Sequence, residues 1–494
     1  MVIPTALYYL FAPLLMGIVG LVADKFKAPK LRDGVAILVS LWGVLSVWML
    51  YNMGIDAGDI LVFSIGGIPP LGACFEIDML SLYFAGTAAV LSFLVTVYSF
   101  SYMDHDTRLS EYYSLLCAIT VGMMGVAFAG DMFTMFIFWE MMGIASYSLV
   151  SFRKDNPGPI EAGFKYMVMG SVGSVVMFFG MAFVYGMAGS LNFAVLASSL
   201  RGATLTPWTI LVFATFIIGF GVKAAIVPMH TWLPDAHPEA PSPISALLSG
   251  IVIETGLYAM IRVFFVLYEP AVFRMPIVAL AVITMTLGNL LALFQSDLKR
   301  MLAYSSIAQM GYMLIGLSTG TSAGIQALTL HVFTHSMMKG LAFLTAGSIV
   351  HQSGTRNIDE LKGIGRFMPL TTLGLFISFM GLGGVPATGG FISKFMLFGS
   401  AIQAGMSWLA VLGVLNSALS MGYYLRVIKT LISDPVDALL ETKEAPVMMV
   451  GITLVMTLIV IVLGLSPEPV VKLAELAANS LFEGFNSYIG AILG

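Results

Sequence analysis

The sequence predicts an all-α polytopic membrane protein of about fourteen transmembrane helices, and three observations carry that reading. Of the 494 residues, 58% are hydrophobic and only 10% charged, against roughly a quarter charged in a soluble domain. Mean hydropathy is +0.94, and apolar runs of about 20 residues, the length that crosses a bilayer as a helix, recur from end to end. Runs such as GVAILVSLWGVLSVWMLYNMG are apolar on every face, which excludes the short alternating strands of a membrane β-barrel.

Composition also narrows function. The net charge of −4 is spread along the chain, so nucleic acid is not an expected partner. Two cysteines, Cys74 and Cys117, are fewer than the four thiolates that usually hold an iron–sulfur cluster. Any redox centre is therefore expected on a partner chain. The 51 glycines are scattered through apolar runs and form no phosphate cradle; they suit close helix approach in the membrane. No cofactor or metal site is expected in this chain.

The apolar runs fall at roughly 3 to 23, 34 to 53, 78 to 103, 112 to 129, 131 to 150, 161 to 188, 208 to 233, 242 to 268, 271 to 294, 300 to 320, 322 to 350, 369 to 402, 405 to 431 and 446 to 465. The first, Ile3 to Ala23, lacks a basic leader and a clear cleavage site and reads as a span. With the N-terminus outside, fifteen basic residues from Lys25 to Lys443 fall on one face and three, Arg201, Arg274 and Lys472, on the other. The positive-inside rule then places both termini outside the plasma membrane.

Two spans are interrupted. The seventh carries Gly219, Gly221 and Pro228, and the twelfth carries GLGGVPATGGF around Pro386. Such breaks free backbone groups that only protein or a wet cavity can satisfy, as at ion sites; kinks used for packing leave the same mark. Breaks five spans apart predict two five-helix repeats, and an odd repeat inverts its topology. The expected division is three helices over 1–110, repeats over 111–268 and 269–432, and a last helix with an amphipathic tail over 433–494.

Five or more ionisable residues fall inside the predicted spans, among them Glu140, Lys223, Glu254, Lys339 and Lys394. Each costs ~2.5 to 3.5 kcal/mol at the bilayer centre. Structural ion pairs would explain a pair of them, but apolar contacts hold a membrane bundle without that desolvation. His331, His335 and Lys339 are spaced i, i+4, i+8, a titratable stripe on one helix face that suits proton relay. Haem or metal ligation and plain helix–helix hydrogen bonding are the other uses of such histidines. His230 and His237, after Pro228, read as loop or interface residues, and His351 as lying at the mouth of its span.

The stretches DMFTMFIFWEMMGIASYSL, VKAAIVPMHTWLPDAHPEAPSPISALLSG, DLKRMLAYSSIAQMGYM and HVFTHSMMKGLAFLTAGSIVH resemble the antiporter-like proton-translocating subunits of respiratory complex I, a family that includes membrane-bound hydrogenase and Mrp-type sodium/proton antiporter subunits. The resemblance runs from about residue 80 to 430. It implies fourteen helices, two inverted repeats, broken helices 7 and 12, and an ion path through Glu140, Lys223, His331, His335, Lys339 and Lys394, with Lys223 as a switch governed by Glu140. Glu254 departs from the pattern, since related subunits carry lysine or histidine there. A carboxylate at that place could ligate sodium with oxygen neighbours such as Thr255, or pair with Lys223.

The resemblance further implies partners: other membrane subunits, a peripheral redox module, protons or sodium ions, and the lipid bilayer. The expected function is ion translocation as the non-redox part of a complex I-type or hydrogenase-type oxidoreductase. A subunit of a gradient-driven Mrp-type antiporter is the alternative, and a scaffold whose charges only brace helices is a third reading. The shorter members of the family, without a lateral helix, are the expected counterpart.

Overall fold

The computed structural model describes residues 5–53, 60–67, 72–202, 206–435 and 439–493; residues 3 and 4, which open the first predicted span, lie outside them. After a 3-10 turn, Thr5–Phe11, come α1 Ala12–Lys25 and α2 Pro29–Tyr51. A β-hairpin follows, β1 Leu61–Ile65 paired antiparallel with β2 Ala73–Ile77, Val62 opposite Glu76. It corrects the all-helical expectation. The strands LVFSI and ACFEI are too short to have registered beside 20-residue runs, yet carry the β-branched and aromatic residues that favour a pleated pair.

Helices then continue as α3 Met79–Tyr102, α4 Leu109–Phe128, α5 Met132–Val150, α6 Pro157–Ala188, the short α7 Phe193–Leu200, and α8 Pro207–Lys223. Beyond α8 the chain turns, with Ala225 at φ +50°, and resumes as α9 Leu233–Glu239. α10 Ser242–Leu247 passes through a π-helical turn, Leu248–Val252, into α11 Ile253–Leu267. The second half holds α12 Pro270–Leu293, α13 Leu298–Thr319, α14 Ser322–Ser353, α15 Pro369–Gly383, α16 Gly389–Gln403, α17 Ser407–Ile432, α18 Val447–Leu465 and α19 Glu468–Leu493. Among the described residues, ten helices are long and apolar enough to cross a membrane, and the chain is a multi-pass membrane protein.

The packing inverts the usual order of apolar inside and polar outside. Phe164, Val175, Trp208, Leu415 and Val447 face outward, as a lipid solvent permits. α14 is buried almost throughout, lies against α3, α13, α15, α16, α18 and α19, and carries the histidine stripe. Without a hydrophobic drive between helices, close approach comes from small residues. At the α12–α13 crossing a Cβ on Gly288 would meet the Ala308 backbone nitrogen at 2.6 Å, and one on Gly311 would run into the Met285 backbone.

The two ends of the bundle differ. Arg153, Lys299 and Arg356 line a cavity of about 250 Å³ on the basic face. At the other end of α5, Asp131 caps the helix through Thr134 N at 2.7 Å and holds the hairpin through Cys74 N at 2.9 Å. α19 packs there too, with Tyr488 donating to Gly130 O at 2.8 Å.

Gly311→Val forces the α12 and α13 backbones apart, and overpacking of this kind costs ~1–3 kcal/mol. The expected result is a clear fall in the Tm of the detergent-solubilised protein. Gly186→Ala, where no atom lies within 4 Å of the added carbon, leaves Tm unchanged or slightly higher; equal losses in both variants would show that the crossing is not close-packed.

Candidate ion path

The interruption between α15 and α16 builds the first part of the site. α15 ends at Gly383, Gly384 takes φ +81°, and the carbonyl of Leu382 loses its helical partner. Two side chains take it up: Lys394 donates from Nζ at 2.6 Å and Gln309 from Nε2 at 3.0 Å. Lys394 also donates to Ser417 Oγ at 2.9 Å and lies 4.5 Å from the Tyr312 ring centroid. Gln309 presents Oε1 to His331 Nε2 at 3.1 Å, and His331 Nδ1 meets Ser393 Oγ at 2.8 Å. A hydrogen-bonded chain thus runs from Lys394 to His331, all buried.

One turn along α14 the His335 ring centroid is 6.0 Å from that of His331. His335 Nδ1 is 2.5 Å from Glu254 Oε1, Ser336 Oγ is 3.0 Å from Oε2, and His335 Nε2 has no protein hydrogen-bond partner. Glu254 and His335 are both fully buried. Glu254 follows the π-helical turn, a feature frequent at functional sites. Of the uses open to Glu254, the pair with Lys223 is not formed; the carboxylate meets the His335 imidazole of α14. The Thr255 hydroxyl donates to Ile251 O at 3.1 Å on its own helix. Lys339, a turn beyond His335, donates to Ser305 Oγ at 2.5 Å and Leu302 O at 3.3 Å.

Lys223 stands apart from this group. It is the last residue of α8, buried, and its Nζ has no hydrogen-bond partner. Its surroundings are rings: Nζ lies 5.5 Å from Trp139, 5.5 Å from Tyr147 and 5.6 Å from Tyr166. These distances are in the range where an aromatic face attracts a cation. Tyr166 stacks on Trp232 at 3.8 Å, and Trp232 Nε1 donates at 2.7 Å to Val222 O, which also accepts from Ala225 N at 3.2 Å in the turn. Half-buried Glu140 is within electrostatic reach of Lys223. Among the described residues, Glu140, Lys223, Lys339 and Lys394 form no ion pair.

Two residues on the basic side change their reading. His237 is not a loop residue: it is fully buried, stacked on Phe343 at 4.6 Å, with both ring nitrogens lacking protein partners and with Lys299 and Lys339 in electrostatic reach. Lys299, counted with the basic loops, is 2% exposed and donates to Ala240 O at 2.5 Å. It lines the 250 Å³ cavity with Tyr102, Arg153, Glu239 and Arg356. Lys299 carried no signal, since a lysine at the start of an apolar run looks like an interfacial charge. The tyrosines and tryptophan around Lys223 are likewise ordinary inside apolar runs.

A family model described as NADH:quinone oxidoreductase/Mrp antiporter, TM, matches residues 129–420, and one described as NADH-Ubiquinone oxidoreductase (complex I), chain 5 N-terminus, matches residues 63–113. The chain is 34% identical over 483 residues to the F(420)H(2) dehydrogenase subunit N of Methanosarcina mazei, covering 94% of this chain and 96% of that protein. It is 37% identical over 359 residues to the NADH-quinone oxidoreductase subunit N of Trichlorobacter lovleyi, covering 71% and 74%. Among solved structures, a chain of the membrane-bound sulfane sulfur reductase, an archaeal respiratory membrane complex, superposes with TM-score 0.89 at 28% identity over 99% of both chains. A chain of the Mrp complex from Dietzia sp. superposes at TM-score 0.88 over 99% and 100%, at 22% identity, a likeness of fold.

His335→Ala leaves the Glu254 carboxyl buried without its imidazole, a loss of ~1–3 kcal/mol. A lower Tm is expected, with most of it restored in the double variant His335→Ala/Glu254→Leu, because the two changes share one interaction. Additive losses would show that the two residues do not act as a pair.

Proposed function

Because this chain belongs to the NADH:quinone oxidoreductase/Mrp antiporter family of membrane subunits, we propose that it is an ion-translocating, antiporter-like subunit of a redox-driven respiratory complex. The observation that carries the reading is the run of buried titratable groups, Lys394, His331, His335 with Glu254, and Lys339, beside breaks in otherwise regular helices. Of Glu140, Lys223, Glu254, Lys339 and Lys394, only Glu254 has an ionic partner among the described residues, which weighs against these five being a set of braces. The named relatives above 30% identity are oxidoreductase and dehydrogenase subunits, which favours the redox-driven reading over the Mrp-type one. Other membrane subunits and a peripheral redox module are the proposed partners.

Two five-helix repeats of opposite topology support the mechanism. Asp131 and Asp297 each cap the helix that follows, α5 and α13, and each forms an isolated antiparallel bridge, with Asn192 and Asn357 respectively. The first lies at the hairpin end and the second beside Arg356 on the basic face, 3.1 Å from its Nε. Fourteen spans, with α8–α9 and α15–α16 as the broken seventh and twelfth, accommodate this arrangement. Each repeat then contributes one buried lysine at its break, Lys223 or Lys394.

In the proposed cycle Glu140 attracts the ammonium of Lys223; movement or neutralisation of Glu140 weakens that hold, and the proton passes toward the central groups. Among the described residues no hydrogen bond to Lys223 Nζ competes with that pull. Glu254 faces imidazole and hydroxyl hydrogens rather than a ring of oxygens, so the proton is the coupling ion favoured here. Moving one charge fully across about 100 mV costs ~2.3 kcal/mol, which charge rearrangement at low dielectric can supply.

Glu140→Gln and Lys223→Ala are expected to reduce ion pumping at least tenfold while the complex still assembles, and Glu254→Gln to impair flux more than assembly; wild-type pumping by the assembled variants removes these residues from the path. For orientation, tags on either terminus are expected to be reachable from outside the cell, and a protease site beside Arg356 only from the cytoplasm. The opposite accessibility would invert the proposed topology.

A further inference from the structure

The groups above lie at mid-bundle or toward the basic face. A second buried charge cluster sits at the other end of α11. Arg262 donates from Nε to the Tyr258 hydroxyl at 2.8 Å, from Nη1 to Glu76 Oε1 at 3.4 Å, and from Nη2 to Asp78 Oδ1. Glu76 belongs to β2 and Asp78 caps α3. All three are at most 3% exposed, and Asp78 Oδ2 has no hydrogen-bond partner. One guanidinium therefore answers two buried carboxyl groups. Each buried ion costs several kcal/mol, so the second carboxyl is most cheaply held with a proton.

The cluster is aligned with the central site. Glu254, Tyr258 and Arg262 are spaced i, i+4, i+8 and share a face of α11, placing Arg262 ~12 Å along the helix from Glu254. Tyr83, five residues into the membrane from Asp78, is buried with a hydroxyl lacking any hydrogen-bond partner and within electrostatic reach of Glu254. On the outward side, Val62, opposite Glu76 in the hairpin, is partly exposed.

We propose that Glu76, Asp78 and Arg262 form a proton-release site on the face opposite the basic loops, which receives protons from Glu254 by way of the Tyr83 hydroxyl, the Tyr258 hydroxyl being committed to Ala127 O at 2.5 Å. This rests on the reading of Glu254 as part of the ion path. The Glu254 carboxyl gives up its proton, the Tyr83 hydroxyl and bridging waters hand it on, the Glu76 carboxylate takes it as a new O–H bond, and outer water then removes it. Arg262 stays protonated throughout. Around Glu76 stand Arg262 and Tyr258 from α11, Asp78 ahead of α3, Cys74 on the same strand with Asp131 beside it, and Tyr488 from α19. Burial pushes Glu76 up to about 7, against the pull of Arg262 and with the repulsion of Asp78, so it exchanges a proton in the neutral range.

The test uses the intact complex in sealed vesicles under an imposed membrane potential, with a pH-reporting dye. Glu76→Gln is expected to assemble normally and lower proton flux at least tenfold, and Glu76→Asp to keep more than half. Wild-type flux is expected to depend on outer-face pH in the neutral range, and that dependence to disappear in Glu76→Gln. Wild-type flux and pH profile in assembled Glu76→Gln overturn the proposal. Should that variant not assemble, Asp78→Asn decides: loss of the Asp78 repulsion moves the midpoint below that of the wild type, and an unmoved midpoint overturns the site. Glu254→Gln in the same assay separates the two levels, since wild-type flux there defeats the ion path itself, whereas loss there with full flux in Glu76→Gln defeats only the release site.

Discussion

The carbonyl oxygen of Leu382 has no helical partner, because the chain leaves α15 at Gly383 and re-enters a helix only at Gly389. In a bundle surrounded by lipid such a group must be answered from within the protein. It is answered by an ammonium from α16 and an amide from α13, and the amide's other end fixes His331 on α14. A single break in hydrogen bonding thereby positions a lysine, a glutamine and a histidine from three helices. A regular helix would have kept that carbonyl to itself, and the side chains would have had to satisfy one another without a fixed point.

The first break follows the same rule with a different outcome. Val222 O is taken by the Trp232 indole and the Ala225 amide, and Lys223 is left among Trp139, Tyr147 and Tyr166 with no hydrogen bond. Rings attract a cation over a broad area and do not fix its direction, whereas carbonyl and hydroxyl oxygens hold Lys394 at 2.6 and 2.9 Å. Two lysines at comparable places are thus held with very different stiffness. That difference suits a pair in which one side responds to a neighbouring carboxylate and the other receives.

Between them, Glu254 places a buried acid at the centre of the bundle. A carboxyl and an imidazole at 2.5 Å share one proton readily, and the pair can hand it to either side without leaving an isolated charge in a low-dielectric interior. The second imidazole nitrogen, free of protein partners, gives the pair a separate connection. Along α11 the same face continues outward through Tyr258 to Arg262.

Hydropathy marked where helices lie, because twenty apolar residues in a row have few other fates in a bilayer, and it marked Glu140, Lys223, Glu254, Lys339 and Lys394, because a charge inside such a run stands out. The two interruptions were legible as glycine and proline clusters, and they lie at Lys223 and between Gly383 and Gly389. The partners of those charges were not legible. Glu254 meets His335 across 81 residues and Arg262 meets Asp78 across 184, and which helices touch depends on small-residue crossings such as Gly288 with Ala308. Lys299 and His237 looked like loop or interface residues, and Glu76 carried no signal, since burial of a loop or hairpin is a property of what covers it. Local sequence determined the spans and the presence of charges within them, because both depend on transfer from water to lipid residue by residue; tertiary structure decided the pairings, because hydrogen bonds and ion pairs depend on distances that only the assembled bundle sets.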